Sequence, residues 1–141
     1  ARGQPRSASF PSVEAIRVDE HSDTLRLLTE IGYAAAQQGL GRQAEPIFQA
    51  LALCRPESAA AAVGRALVAL NRGQAEEAAR LLKQDGLKAE PDSRSTKAIL
   101  GLALRLAGLN HESQRVLEAL LAEEEADNSA KLARELLAVP R

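Results

Sequence analysis

The sequence predicts an all-α domain: three helix–turn–helix repeats closed by a C-terminal helix. Three observations carry this expectation. Hydrophobic residues make up 45% of the chain but aromatics only 2%, and Val, Ile and Thr are sparse, so the residues that strands draw on are scarce. A glycine-containing turn recurs at a nearly constant interval. The same pair of a small and a large residue follows it each time.

The three stretches are QQGLGRQAEPIFQAL at 37–51, NRGQAEEAARLLKQD at 71–85 and LAGLNHESQRVLEAL at 106–120. The recurring residues are Gly39, Ala44 and Phe48, then Gly73, Ala78 and Leu82, then Gly108, Ser113 and Leu117. The glycines are 34 and 35 residues apart. A glycine after a helix takes the left-handed conformation that ends it without steric cost. The small residue opens a close crossing with the preceding helix, and the large one fills the space beside it. This period is that of tetratricopeptide-like repeats. The first repeat also has Leu28, Ile31 and Gly32 before its turn and Pro56 after it; the third has Leu100 and Gly101. The second is weaker, with Ala62, Arg65 and Ala66, and its Pro91 comes one residue late.

In chain order, residues 1–22 read as a leader and 23–141 as the repeat domain. The leader's first part, with Pro5, Pro11 and several serines, is expected to be mobile. The alternative is that Phe10, Val13 and Ile16, at three-residue spacing, dock. Helices are expected at 23–38, 42–54, 58–72, 75–84, 94–107, 111–123 and 128–138. Ser22 or Asp23 would start the first, the Ser58 region the third, and Asp92 or Ser93 the fifth. Glu123, Glu124 and Glu125 end the sixth as a solvated face. Leu132, Leu136 and Leu137 give the last helix one apolar face to cover the bare end of the stack, and Pro140 stops it.

Charge excludes one class of partner. Eighteen basic and 19 acidic residues are well mixed, net −1, so no basic field exists for nucleic acid. The apolar run Ala98–Leu104 is too short to span a bilayer, so no membrane association is expected. No signal peptide is visible, and cytoplasmic residence is expected. The absence of methionine implies a chain that begins inside a longer product, or after a tag or cleavage. Cys54, the lone cysteine, reads as a small filler. His21 and His111 have no partner at metal-ligand spacing, no serine sits in a nucleophile elbow, and Gly39-Leu40-Gly41 lacks the rest of a phosphate loop. No metal, cofactor or catalytic activity is expected.

The tetratricopeptide resemblance implies a concave groove lined by the first helix of each repeat. With repeat starts at Leu25, Ala59 and Arg94, the inward positions carry Arg26, Thr29, Tyr33, Ala36 and Gln37; Ala60, Val63, Leu67, Leu70 and Asn71; and Ser95, Ala98, Leu102, Arg105 and Leu106. The groove centre is therefore apolar: Tyr33, Val63, Leu67, Leu70, Ala98, Leu102 and Leu106. Adaptors that clamp a peptide carboxylate use Lys, Arg and Asn where this chain has Thr29, Val63, Ala98, Tyr33, Leu67 and Leu102, so an apolar helix face is the better expected partner. Part of this stripe, Leu70 and Leu106 above all, has the alternative of being core.

Residues 66–82 (ALVALNRGQAEEAARLL) and 102–137 (LALRLAGLNHESQRVLEALLAEEEADNSAKLARELL) resemble the small tetratricopeptide chaperones of bacterial type III secretion, closest to the needle-subunit class. The resemblance spans roughly 25–138. It implies a chaperone that holds a polymerising, aggregation-prone subunit by its C-terminal amphipathic helix, with a small helical co-chaperone on the N-terminal helices. Translocator chaperones of the same system, which often dimerise through those helices, and a generic repeat scaffold remain as alternatives.

Overall fold

The computed structural model describes residues 18–140, with side chains from Leu25 onward; the leader's expected mobility therefore lies outside the described residues. Seven helices follow one another, with no strand among the described residues. They are α1 (Val18–Gln37), α2 (Gly41–Cys54), α3 (Ala60–Asn71), α4, α5 (Arg94–Leu106), α6 (Asn110–Leu121) and α7 (Asn128–Ala138). The fourth is composite: an α-helix at Ala75–Leu81, a π-helical turn at Leu82–Gly86 and a last α-turn at Leu87–Ala89. α1 pairs with α2, α3 with α4 and α5 with α6, each pair forming a hairpin that packs on the next.

The three glycine turns are built alike. Gly39, Gly73 and Gly108 have φ of 81°, 75° and 84°, the left-handed region. The residue after each donates its N–H back five residues: Leu40 to Ala35 O, Gln74 to Ala69 O and Leu109 to Leu104 O, all at 2.8 Å. These bonds satisfy carbonyls that the helix end leaves open.

Packing across the stack follows one spacing. Phe48 lies against Gly32 of α1 and Gly64 of α3, sixteen residues away on either side. Leu117 lies against Gly101 and shares a core cluster with Ala133, again sixteen residues either way. Leu82 shares its cluster with Ala66, and Ala98, sixteen residues beyond Leu82, is buried. On α2 and α6 a large side chain thus sits between small residues on the helices before and after it. The larger Phe48 has glycine on both sides; the leucines admit alanine. Ala44 and Ala78 are fully buried, and buried Ser113 donates its hydroxyl to Gly101 O at 2.7 Å.

Several boundaries differ from expectation. α1 begins by Val18, so Ser22 and Asp23 lie inside it rather than at its start. The fourth helix runs on to Ala89 instead of ending at 84. The reason is countable. Phe48 and Leu82 are 34 residues apart, but Pro56 and Pro91 are 35 apart. The additional residue therefore falls between Leu82 and Pro91, where the π turn takes it up by widening the hydrogen-bonded ring. α6 stops at Leu121, before the three glutamates, and Glu124 turns the chain with a positive φ of 59°.

Other starts fall where expected. Ser93 caps α5, accepting from Thr96 N–H, and Asp127 caps α7, accepting from Ala130 N–H. α7 packs on α5 and α6 as α3 packs on α1 and α2. The terminal helix therefore stands where the first helix of a fourth hairpin would stand, and it covers Leu117 and Leu120.

Candidate partner-binding surface

The expected groove residues divide into core and surface. Val63 and Ala98 are buried, Val63 in the central cluster and Ala98 beneath α6 and α7, so neither presents surface to a partner. Tyr33 and Leu67 are half-buried and pack on both the first and the central clusters. Leu70 is half-buried against the central cluster, and Leu102 is half-buried on α5. Leu106 is 62% exposed, so the core alternative does not hold for it.

Several residues of the expected lining also serve the fold. Tyr33 donates its hydroxyl to Ala60 O at 3.0 Å, tying α1 to the start of α3. Burial holds its phenol well above the usual tyrosine range, and the nearby Glu90 carboxylate adds to this. Glu90 in turn accepts from Ala59 N–H at 2.9 Å. Arg105 donates to Leu136 O and Pro140 O at 2.9 Å each, and to Val139 O, so its guanidinium fastens the end of α7. Buried Ala36 belongs to the first cluster, and Thr29 returns its hydroxyl to Leu25 O at 2.8 Å.

The spacing of the first helices is uneven. α1 packs directly along α3, whereas α3 and α5 touch at few points and the π turn contacts both. Gly86 of that turn faces Thr96 on α5 and Ala62 on α3; a Cβ there would lie 3.1 Å from Thr96 Cγ2. The π turn thus stands between the two helices where α1 and α3 have direct contact.

On the glycine-turn side, an open hollow of about 880 Å³ is lined by Gly73 to Glu77, Leu106 and Ala107. Its wall joins the exposed Leu106 to the acidic first turn of α4, Glu76 and Glu77. Glu77 is ion-paired with Arg80, whose hydrogen bond holds its carboxyl below the usual range. The helical positions assigned from the sequence missed this wall, because it comes from a turn and a second helix.

Glu123 is more than part of a solvated face. It pairs with Arg94 and with Lys97, the latter at 3.2 Å, while Arg94 also reaches Asp127 at 2.7 Å and Leu120 O at 3.3 Å. This network joins the start of α5 to the loop before α7. It lies at the opposite end of α5 from Leu106.

Among the described residues, no helix is long and apolar enough to cross a membrane. No protein-family model matches the chain, and no curated protein or solved structure matches it either.

Proposed function

We propose that the chain is a tetratricopeptide-like chaperone that binds the amphipathic helix of an aggregation-prone secreted subunit, the needle subunit of a type III secretion system being the client class. The observation that carries the reading is Leu106, a large apolar side chain left 62% exposed beside the hollow at the second glycine turn. Half-buried Leu67, Leu70 and Leu102 extend the apolar character along α3 and α5. A partner helix covering these leucines buries apolar surface on both sides, the main favourable term in such association. Glu76 and Glu77 beside Leu106 favour a client helix whose apolar face has a basic flank. The repeat reading is supported by the 34- and 35-residue glycine spacing, the three like-built turns and the sixteen-residue packing ladder. Cytoplasmic residence, a helical co-chaperone and the absence of catalysis belong to the same proposal.

Co-expression with a candidate needle subunit tests it. The chaperone reading expects a soluble one-to-one complex and a higher soluble yield of the subunit. A complex with a translocator instead would move the client class. A chain that binds neither, and changes neither yield, is a scaffold rather than a chaperone.

A further inference from the structure

α5 holds α7 by both ends. At the start of α5, the Arg94 guanidinium takes the N-cap carboxylate of Asp127 in a forked pair, Nε to Oδ2 at 2.7 Å and Nη2 to Oδ1 at 3.1 Å. Eleven residues on, Arg105 donates to the carbonyls of Leu136, Val139 and Pro140. Eleven residues of helix rise about 16 Å, and α7 is itself 11 residues long. Between the two arginines, Ala98, Leu117 and Leu120 form an apolar floor on which Ala133 is fully buried. The seat therefore reads four features of a helix: an acid at its N-cap, its length, a small residue midway and open carbonyls at its end. The Arg105 charge also suits the negative end of the helix dipole.

α7 fills this seat loosely. Its buried residues are two alanines, Ala130 and Ala133, while Leu132, Leu136 and Leu137 are half-buried. α3, one residue longer, buries six. The cluster beneath α7 shares no residue with the other two. The α5–α6 hairpin keeps its own ties without α7: Leu117 lies against Gly101, and Ser113 donates to Gly101 O. Residues 122–127, which join α6 to α7, are all exposed. Units with few buried apolar contacts open ahead of the rest of a fold. We propose that α7 is a removable occupant, and that the seat between Arg94 and Arg105 takes the amphipathic helix of a partner protein in its place. The partner helix carries the marks of α7: an acidic N-cap, a small residue six positions on, and large apolar residues on the same face. The seat shares no residue with the lining of the Leu106 hollow, so it stands whatever client binds there.

A labelled synthetic peptide of residues 126–140 is the probe, read against the full chain. Ala133→Asp in the chain sets a charge on the apolar floor and unseats the tethered α7, leaving both arginines and the floor unchanged. This variant is expected to stay helical and to bind the peptide one-to-one. It should bind about tenfold or more tightly than the unaltered chain does, where the tethered α7 competes. The peptide carrying Ala133→Leu is expected to lose binding, because the floor leaves room for a methyl group there. The peptide carrying Asp127→Ala, which gives up the Arg94 pair, should bind several-fold more weakly. In the unaltered chain, amide exchange is expected to be faster across α7 than across α3. Exchange across α7 as slow as across α3, unfolding of the Ala133→Asp chain, or its failure to bind the peptide each overturns the proposal. Equal binding of the Ala133→Leu peptide does so too, since the seat then reads nothing but apolar surface. A dimer of the unaltered chain that trades α7 between copies, seen by sedimentation, assigns the seat to a second copy and overturns it as well.

Discussion

Gly64 of α3 lies directly against the ring of Phe48 on α2, so close that a Cβ at position 64 would fall inside the ring's contact distance. The same ring also meets Gly32, where a Cβ would lie 2.8 Å from Phe48 Cε1. Gly64→Ala therefore forces the ring or α3 to move, at a cost of about 1–3 kcal/mol. The second repeat shows the remedy, because Leu82 tolerates Ala66. Phe48→Leu in the Gly64→Ala background is expected to recover part of the loss, although Phe48→Leu alone leaves a cavity and destabilises. A double-mutant cycle by chemical denaturation reads the coupling, expected at about 0.5–3 kcal/mol. Additive losses would mean that ring and glycine do not constrain each other.

The π turn makes a second prediction. Deleting exposed Gln84 removes one residue from the segment that holds one more than its counterpart in the first repeat. The expected product folds cooperatively with a midpoint near that of the parent, its fourth helix now regular. Deleting exposed Gln49 from the uninterrupted α2 has no such outlet and rotates every following apolar residue by about 100°. That variant is expected to lose most of its stability. Equal losses for both deletions, measured by thermal denaturation, would show that the π turn has no role in absorbing the insertion.

Acid should weaken the ion-pair network that joins the start of α5 to the loop before α7. The hydrogen bond from Arg94, with that from Ala130 N–H, draws the Asp127 carboxyl from 3.8 down to about 2. Lys97 and Arg94 likewise hold Glu123 below its ordinary value. A carboxyl that binds its proton more weakly when folded stabilises the fold above its unfolded pKa. The contribution is therefore complete above 3.8 and is lost as pH falls toward 2. Arg94→Met is expected to lower stability at neutral pH and to flatten the decline across that interval. A decline as steep as the parent's would place the acid sensitivity elsewhere.

How much of this was legible in the chain depends on the kind of contact. Gly39, Gly73 and Gly108 announce their turns because only a left-handed residue ends a helix in that way. The late Pro91 already recorded the inserted residue, but whether a loop or a widened helical turn absorbed it depends on packing by Gly86 against α3 and α5. Repeat positions place Val63 and Ala98 in the groove only if all first helices are equally uncovered. Ala98 is covered by α6 and α7, and Val63 turns into the central cluster. The sequence does not announce Arg105 as a helix-end clamp, because its acceptors, the carbonyls of Leu136, Val139 and Pro140, lie 31 to 35 residues away and carry no side-chain signature.

The groove prediction turns on separating surface from core. Leu67 packs against two core clusters, so Leu67→Asp gives up part of roughly 1.5–3 kcal/mol of burial and sets a charge against apolar neighbours. Loss of client binding in that variant would therefore be confounded with loss of fold. Leu106 is mostly exposed, so Leu106→Asp removes little internal contact. It also places a third carboxylate beside Glu76 and Glu77, in the hollow assigned to the partner. The expected result is a chain with an unchanged denaturation midpoint that no longer co-purifies with the subunit, whereas Leu106→Met, which keeps the apolar surface, retains it. Leu102→Asp, on the same helix, should weaken binding at a modest cost in stability. If Leu106→Asp and Leu102→Asp both fold and both hold the client as the parent does, the leucines of α5 are not the binding surface. The client must then be sought on another face of the stack.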